Sequence, residues 1–305
     1  IDVLTTCPGR TIGVDADFRR VDVDLNVFSA YVQHEMSLSE NFKAVIGARF
    51  DSFDIDVFNV KANERRTRKD DEISPRLGLI YKPQQNVSIY TGYSKSFLPR
   101  SGEQFANING NNNALDPDTF TNLEAGVKWD IDPGLSLTAA IFEIEQSSPQ
   151  PNDNDPATLD VIDSKIQGFE FQLQGSLSDF WTVSAGYSYL DGEQADRNGP
   201  TGLRPRELPD SMFSVWNAFS VTEKLGLGLG VTYQSSSFIN NGNTAVLPSY
   251  LRVDASAHYD ISDSLRIQVN VENLTDTLYF PNAHATHQAT VGAPINARFA
   301  VTGRF

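Results

Sequence analysis

The sequence is poor in cysteine and in basic residues. Cys7 is the one cysteine among 305 residues, so no disulfide can form within the chain. In an oxidising compartment it would need a partner elsewhere, and a free thiol in a loop is the alternative. The 39 acidic residues outnumber the 24 basic ones, giving a net charge of -15. This charge disfavours a nucleic-acid partner, because phosphate binding requires a basic surface.

Long apolar runs are also absent. No stretch approaches the roughly 18 uncharged apolar residues of a membrane-spanning helix. The first residues, IDVLTTCPGR, lack the basic and apolar regions of a signal peptide. We therefore expect either a cytosolic protein or one whose signal lies outside this chain.

Signatures of catalysis and metal binding are missing as well. There is no G-x-S-x-G motif, and HEMSL at 34–38 lacks the second histidine of a zinc protease. GLGLG at 226–230 is similar to a nucleotide loop, but no helix follows it, and small residues within a strand explain it better. His284 and His287 of HATH, and the acidic run NDND at 152–155, are expected to be solvated. The sequence thus predicts no enzyme, no cofactor and no metal site.

What the sequence has instead is alternation with a period of two. In SLRIQVNVENL at 264–274, the apolar residues Leu265, Ile267 and Val269 alternate with Arg266 and Gln268. This is typical of a strand between two unlike environments. Similar runs occupy residues 41–50, 123–131, 169–177, 225–233 and 249–262. We count about thirteen candidate strands, most of about ten residues or more, which is longer than soluble strands and fits tilted membrane-spanning ones.

The connections between these runs alternate in length. Short turns are predicted near Ser39, Gln84, Gly134, Asp179, Glu223 and Asp263, and long polar links at residues 59–71, 99–117, 148–160, 194–209, 238–248 and 275–294. This pattern indicates an all-β fold, a transmembrane antiparallel β-barrel with short periplasmic turns and long extracellular loops. A soluble sandwich would also alternate but would have shorter strands. A propeller is disfavoured because the strands pair by twos and not by fours.

Aromatic and charged residues refine the barrel hypothesis. Aromatic residues near strand ends are expected to form the interfacial rings of a barrel, with core packing as the alternative: Tyr90, Tyr93, Phe97, Trp181, Tyr187, Tyr189, Trp216, Phe219 and Tyr233. The charged residues Lys43, Arg49, Lys128, Glu170, Arg252 and Glu272 are expected to face the interior. In the last run, Ile295, Ala297, Phe299, Val301 and Phe305 would face outwards, as in a closing strand.

Several ordered segments resemble the carboxy-terminal part of TonB-dependent siderophore receptors of the bacterial outer membrane. They are SIYTGYSKSFLP (88–99), LDPDTFTNLEAGVKWDI (115–131), LSLTAAIFEIEQ (135–146), IQGFEFQLQGSLSDFWTVSAGYSYLDGE (166–193), LPSYLRVDASAHYDIS (247–262), VNVENLTDTLYF (269–280) and the terminal GAPINARFAVTGRF. The resemblance extends over most of the chain, and the ordered set is more specific than any single segment.

The resemblance implies a barrel of twenty-two strands with an amino-terminal plug, which takes up a ferric siderophore with energy from the TonB-ExbB-ExbD complex. No plug precedes the strands here, and single-chain bacterial barrels have an even strand number. We expect residues 1–23 to be the remnant of an extracellular loop and residues 24–305 to be the carboxy-terminal portion of the barrel. The expected location is the outer membrane, with lipopolysaccharide as a neighbour. An open sheet would leave two unpaired edges in lipid, so these strands must close, dimerise or pair with further strands.

Ligand recognition is predicted at extracellular loop residues that suit an anionic, aromatic iron chelate. Guanidinium groups hold carboxylate or catecholate oxygens, and aromatic faces pack on chelate rings. The candidates are Phe97, Arg100, Gln104, Arg204, Arg206, Tyr279 and His284. For each, pairing with neighbouring acids or lipopolysaccharide phosphate is the alternative. A passive porin is the alternative function, and an outer-membrane hydrolase would need a constellation that is not evident.

Overall fold

The structure, a computed structural model, describes residues 21–60, 63–99, 116–151, 159–196, 201–285 and 288–304. All regular elements in these ranges are strands. A search of the same residues for a helix long and apolar enough to cross a membrane accordingly finds none. In chain order they are β1 (Val21–Ser37), β2 (Phe42–Asn59), β3 (Glu64–Gln84), β4 (Val87–Leu98), β5 (Asp118–Asp132), β6 (Leu135–Pro151), β7 (Leu159–Ser178), β8 (Trp181–Asp196), β9 (Ser211–Ser220), β10 (Leu225–Gln234), β11 (Ser237–Phe238), β12 (Val246–Leu247), β13 (Tyr250–Ser262), β14 (Leu265–Glu272), β15 (Ala283–Ala285), β16 (Gln288–Ala289) and β17 (Asn296–Gly303).

One 13-stranded sheet dominates the described residues, which confirms the predicted number of strands. Its order is β1-β2-β3-β4-β5-β6-β7-β8-β9-β10-β13-β14-β17, and β11-β12 and β15-β16 are separate two-stranded sheets. Neighbouring strands are antiparallel and follow one another along the chain, as in an up-and-down barrel. The six predicted short turns are confirmed at residues 38–41, 85–86, 133–134, 179–180, 221–224 and 263–264. All six lie at the same end of the sheet, here called the turn end.

The two faces of the sheet differ in polarity, as the alternation predicts. The face that we call the outer face carries exposed apolar side chains, such as Ile141 (65 % exposed), Leu229 (44 %) and Phe299 (82 %). The opposite, inner face carries the charged residues that were predicted to lie there, namely Lys43, Arg49, Lys128, Glu170, Arg252 and Glu272. An apolar outside and a polar inside are the arrangement of a transmembrane barrel.

Two rows of aromatic rings border the apolar part of the outer face. Near the turn end, Trp181 stacks on Phe219 with ring centroids 5.9 Å apart. Towards the opposite end, which we call the loop end, Phe169 stacks on Tyr189 at 5.7 Å. On β8, Trp181 and Tyr189 are eight residues apart, or about 26 Å along the strand. This separation matches the ~25 Å apolar band of outer-membrane barrels.

Two aromatic residues predicted for these rows lie on the inner face instead. Tyr90 pairs across the strands with Gly126, and a Cβ atom at position 126 would come within 2.7 Å of its ring. Trp216 lies over Gly228 in the same way, where a Cβ atom would come within 2.5 Å of the indole. Each ring thus covers a glycine of the neighbouring strand and occupies the space that a side chain would fill there.

The predicted long link at 59–71 is wrong, because β2 continues to Asn59 and β3 begins at Glu64. The 21 residues of β3 exceed the ~9–11 that cross a membrane, so this hairpin projects beyond the apolar band. In the projecting part of β2 the polarity of the faces reverses, whereas β3 carries charged residues on both faces there. On the outer face, three hydrogen bonds from Arg65 lower the pKa of the Asp56 carboxyl. The fully buried Ile55 of β2 lies on the inner face.

Other boundaries also differ from the sequence-based expectation. The predicted link at 148–160 is shorter, because β6 extends to Pro151 and β7 begins at Leu159. Strand β8 extends to Asp196, into the predicted link at 194–209. Strand β1 begins at Val21, inside the range 1–23 that was expected to be a loop, and residues 1–20, with Cys7, lie outside the described residues. In each case the strand extends further towards the loop end than the apolar pattern alone predicts.

Candidate functional site

Three loops at the loop end carry most of the predicted ligand residues that the structure describes. They connect β8 to β9, β10 to β13 and β14 to β17, with described residues 201–210, 235–249 and 273–295, the last without 286–287. We call these three loops the loop cap. Their mutual contacts decide which side chains remain available to a ligand.

The first two loops are joined by paired hydrogen bonds. The backbone N–H of Arg204 donates to Oδ1 of Asn243 at 2.8 Å, and Nδ2 of Asn243 donates to the carbonyl of Arg204 at 2.9 Å. From β8, Nε2 of the buried Gln194 donates to the carbonyl of Asn241 at 2.8 Å. Asn243 has a φ of 54°, a left-handed conformation that asparagine adopts more readily than most residues.

Glu207 connects all three loops of the loop cap. Its backbone N–H donates to the carbonyl of Phe238 in the second loop at 2.7 Å. Its Oε1 accepts a hydrogen bond from the backbone N–H of Ala283 in the third loop, also at 2.7 Å. Its Oε2 lies 3.4 Å from Nη2 of Arg206 in its own loop. Glu207 also has a φ of 56°, which is uncommon for a residue other than glycine.

A small apolar cluster joins the second and third loops. Ile239 and Leu247 of the second loop pack with Ala283 of the third, and these residues are 8 %, 3 % and 2 % exposed. Ala245 and Phe280 pack against this cluster. The loop cap therefore has its own buried contacts, separate from the barrel wall.

The third loop is fixed to the barrel wall by Asn273, which is 1 % exposed. Its backbone N–H donates to Oδ1 of Asp254 on β13 at 2.8 Å. Its side chain donates to the carbonyls of Thr277 and Ala293 at 2.9 and 3.0 Å, and accepts the N–H of Thr277 at 2.9 Å. These bonds close the base of the loop.

Two of the predicted ligand residues are largely covered by the protein, with 28 % of the Arg204 side chain and 7 % of Tyr279 exposed. Arg204 forms ion pairs with Asp191, at 3.5 Å, and with Asp210. Tyr279 is 7 % exposed, and its hydroxyl accepts a hydrogen bond from Nη1 of Arg252 at 3.3 Å. Both side chains thus make contacts that stabilise the loop cap. A role for them in ligand binding stays a prediction.

The other predicted residues differ in position and surroundings. Arg206 belongs to the loop cap, and its side chain is 46 % exposed with Glu207 as its ion-pair partner. Phe97 lies on β4, away from the loop cap, and its ring meets that of Phe53 edge-on at 5.8 Å. His284 lies in β15 of the third loop, and Arg100 and Gln104 lie outside the described residues. The structure therefore brings Arg204, Arg206 and Tyr279 into one assembly and leaves Phe97 apart.

The inner face holds a second set of polar groups. A cavity of about 530 Å³ lies against β3, β4 and β5. Its lining includes Arg76, Tyr90, Glu124 and Lys128, and the hydroxyl of Tyr90 donates to Glu124. None of the predicted ligand residues lines this cavity. Within the described part of the chain, no group of three or more His, Cys, Asp or Glu side chains is placed to hold a metal ion.

Sequence reasoning missed the residues that assemble the loop cap, chiefly Glu207, Asn243 and Asn273. A weak signal was available for the asparagines, since Asn is enriched at left-handed positions and in turns. Nothing in the local sequence marks Glu207, because its partners lie 31 and 76 residues along the chain.

These features define a class of protein: a segment of a transmembrane antiparallel β-barrel with a polar interior and packed loops at one end. Comparison with known proteins specifies the family. Residues 6–274 match the family described as TonB dependent receptor-like, beta-barrel, and the chain belongs to this family. It is a family of outer-membrane receptors and transporters, so the turn end corresponds to the periplasmic side and the loop end to the extracellular side.

Individual relatives support the same assignment. The chain is 31 % identical to a probable TonB-dependent siderophore receptor, PiuA of Acinetobacter baumannii, over 96 % of this chain and 42 % of the relative. It is 29 % identical to the ferrioxamine receptor of Yersinia enterocolitica, over 96 % of this chain and 41 % of that protein. The crystal structure of PiuA superposes with a TM-score of 0.86 at 32 % identity, covering 93 % of this chain and 44 % of PiuA. The chain thus spans less than half the length of these relatives.

Proposed function

We propose that this chain is the carboxy-terminal part of the barrel of an outer-membrane receptor that takes up a ferric siderophore, and that it has no enzymatic activity. The observation that carries the proposal is the 31 % identity to a siderophore receptor along 96 % of the chain. The polar inner face and the exposed Arg206 at the extracellular end fit an anionic chelate that enters from outside. The passive porin alternative has no support from these relatives, which are receptors by name.

The proposed function also requires a plug domain, an energy source and further strands. Active uptake requires a plug domain and energy from the TonB-ExbB-ExbD complex, and the chain accounts for 42 % of the length of the PiuA relative. We propose that the remaining strands pair with β1 and β17, the two edges of the sheet. Backbone groups at such edges would otherwise be unpaired in lipid, at a cost of several kcal/mol each.

Lipopolysaccharide is the proposed neighbour of the outer face beyond the extracellular aromatic row. There, polar side chains replace the apolar ones, with Nζ of Lys165 2.9 Å from Glu143 and Nε2 of Gln167 donating to the same carboxylate. Such a mixed polar surface fits the headgroup region and not the acyl chains.

Uptake measurements test the proposed function directly. A bacterial strain that carries the full-length gene as its one siderophore receptor is expected to accumulate radioactive iron from one class of chelate, either catecholate or hydroxamate. Accumulation is expected to stop when TonB is deleted, because active uptake depends on energy from the inner membrane. Accumulation that is unchanged without TonB would indicate passive diffusion and would contradict the proposal.

Arg206 offers a test of the binding site. Loss of a charge-assisted hydrogen bond costs about 1.5–3 kcal/mol, so Arg206→Ala is expected to weaken binding of the chelate by tenfold or more. The dissociation constant is measured by quenching of tryptophan fluorescence in the purified receptor. Arg65→Ala is the matched control, because Arg65 is 67 % exposed and pairs with Asp56 on the outer face. Equal weakening by both substitutions would show that Arg206 makes no specific contact.

A further inference from the structure

The three loops of the loop cap touch one another through two kinds of contact. Polar contacts join the first loop to the second, through the Arg204 and Asn243 pair and the N–H of Glu207. Apolar contacts join the second loop to the third, through Ile239, Leu247 and Ala283. Because each loop is bound to the next, no loop can leave its place without exposing buried groups of another.

Glu207 occupies the position where these contacts meet. One carboxylate oxygen accepts the N–H of Ala283 at 2.7 Å, and the backbone of the same residue bonds Phe238 at 2.7 Å. Ala283 itself belongs to the apolar cluster. Removing the carboxylate would therefore leave a buried N–H without its partner at the centre of the second and third loops.

The backbone conformation of Glu207 is also informative. Its φ of 56° lies in the left-handed region, where residues other than glycine, asparagine and aspartate are disfavoured. Such conformations persist when the surrounding structure determines them, and they are found at functional positions. The residue type at 207 is thus explained by its carboxylate contacts and not by its backbone.

We propose that the three loops of the loop cap open and close as a single unit, and that Glu207 is the positioning residue that couples them. The inference concerns the loops themselves, so it holds whatever ligand the receptor takes up. It implies that the three loops, moving together, control the entry of a ligand at the extracellular end. Arg206, which pairs with Glu207 at 3.4 Å, is then positioned by the same residue.

Hydrogen exchange measured by mass spectrometry tests this coupling in the full-length receptor, purified in detergent without ligand. Glu207→Gly retains the left-handed backbone and removes the carboxylate, and Glu207→Gln retains an oxygen that accepts the Ala283 N–H. Glu207→Gly is expected to raise exchange by about tenfold in peptides from both 238–247 and 279–285, as the loss of a charged hydrogen bond predicts. Glu207→Gln is expected to stay within about twofold of the parent protein, because a neutral acceptor still satisfies the N–H.

A rise confined to peptides from 201–210 would overturn the proposal, because the loops would then open independently. Equal effects of the glycine and glutamine variants would show that the carboxylate contact does not couple them. If Glu207→Gly fails to assemble, Asn243→Gly is the second variant, since it retains a φ of 54° and removes the contact with Arg204. The same joint rise in the second and third loops is expected, and a rise in the second loop alone would overturn the proposal.

Discussion

Replacing Leu229 with arginine is expected to destabilise the barrel by about 2–4 kcal/mol, the cost of arginine on the lipid-facing side near the bilayer midplane. Leu229 lies on the outer face of β10, midway between Leu225 and Tyr233, and is 44 % exposed. Its cross-strand neighbours, Asn217 and Ala255, offer no carboxylate to a guanidinium. The free energy of unfolding is measured with urea for the full-length receptor in lipid vesicles.

Gln172→Arg is the matched control for this substitution. Gln172 lies on the inner face of β7, opposite Thr138 and Gly186, and is exposed. Because the inner face is polar and does not meet lipid, we expect a change within about 0.5 kcal/mol. If the two arginine variants unfold with the same free energy, the outer face does not contact lipid, and the assignment of the two faces is wrong.

The sheet could be predicted from the sequence because the residues that mark each strand and each turn lie close together along the chain. On β10, Leu225, Leu227 and Leu229 alternate with glycines, and on β13 and β14 apolar residues alternate with polar or charged ones. A period of two assigns each residue to a face without knowledge of its partner. The short turns are equally local, as at Gly134, where a φ of 110° favours glycine. Strand number, order and polarity therefore follow from neighbouring residues alone.

The extent of β2 and β3 could not be predicted in this way. Within the apolar band a strand is marked by apolar residues on its outer face, but beyond that band the outer face meets water. There the alternation of β2 continues with reversed polarity, so that Phe53, Ile55 and Val57 face inwards and Asp54 and Asp56 outwards. The absence of outward apolar residues therefore predicts a polar link at 59–71, where the structure has strands. The charged residues of β3 hold the hairpin through ion pairs, including the buried pair Arg68 and Asp70 at 2.6 Å.

The face of the sheet on which an aromatic ring lies also depends on a residue that is distant in the sequence. Tyr90 and Trp216 were expected in the interfacial rows, yet both lie on the inner face. Their rings fill the space above Gly126 and Gly228, which belong to the neighbouring strand and lack a side chain. Strict alternation of successive residues between the two faces of β4 or β9 does assign Tyr90 and Trp216 to the inner face. The general preference of aromatic residues for the membrane interface predicts the outer face instead.

The candidate site was the least predictable part. The sequence supplied residue types that suit an anionic chelate, but the availability of each side chain depends on its partners in space. Arg204 and Arg206 are two positions apart, yet Arg204 pairs with Asp191 and Asp210 while the side chain of Arg206 is 46 % exposed. Tyr279 is buried within the third loop, where Arg252 donates to its hydroxyl. Contacts between loops, which decide this difference, leave no periodic pattern in the sequence.

Replacing Asn273 with alanine is expected to open the third loop at a free-energy cost of about 3–4 kcal/mol. The side chain makes three hydrogen bonds at 1 % exposure, each worth about 1 kcal/mol. A further ~1 kcal/mol arises because alanine is less favourable than asparagine at a φ of 54°. Hydrogen exchange of residues 274–285 reports this opening, and we expect it to increase by at least a hundredfold.

Two further variants separate the causes of this effect. Asn273→Gly removes the hydrogen bonds but accepts the left-handed backbone, so it is expected to cost about 1 kcal/mol less than alanine. Asn240→Ala removes bonds to Thr244 that lie at the surface, where water replaces them, and is expected to cost less than about 1 kcal/mol. If Asn273→Ala leaves exchange of 274–285 within a few-fold of the parent protein, the base of the loop is held by the Asp254 contact to the backbone of Asn273. Asp254→Ala would then have the larger effect, and the buried amide would not be the anchor that its geometry indicates.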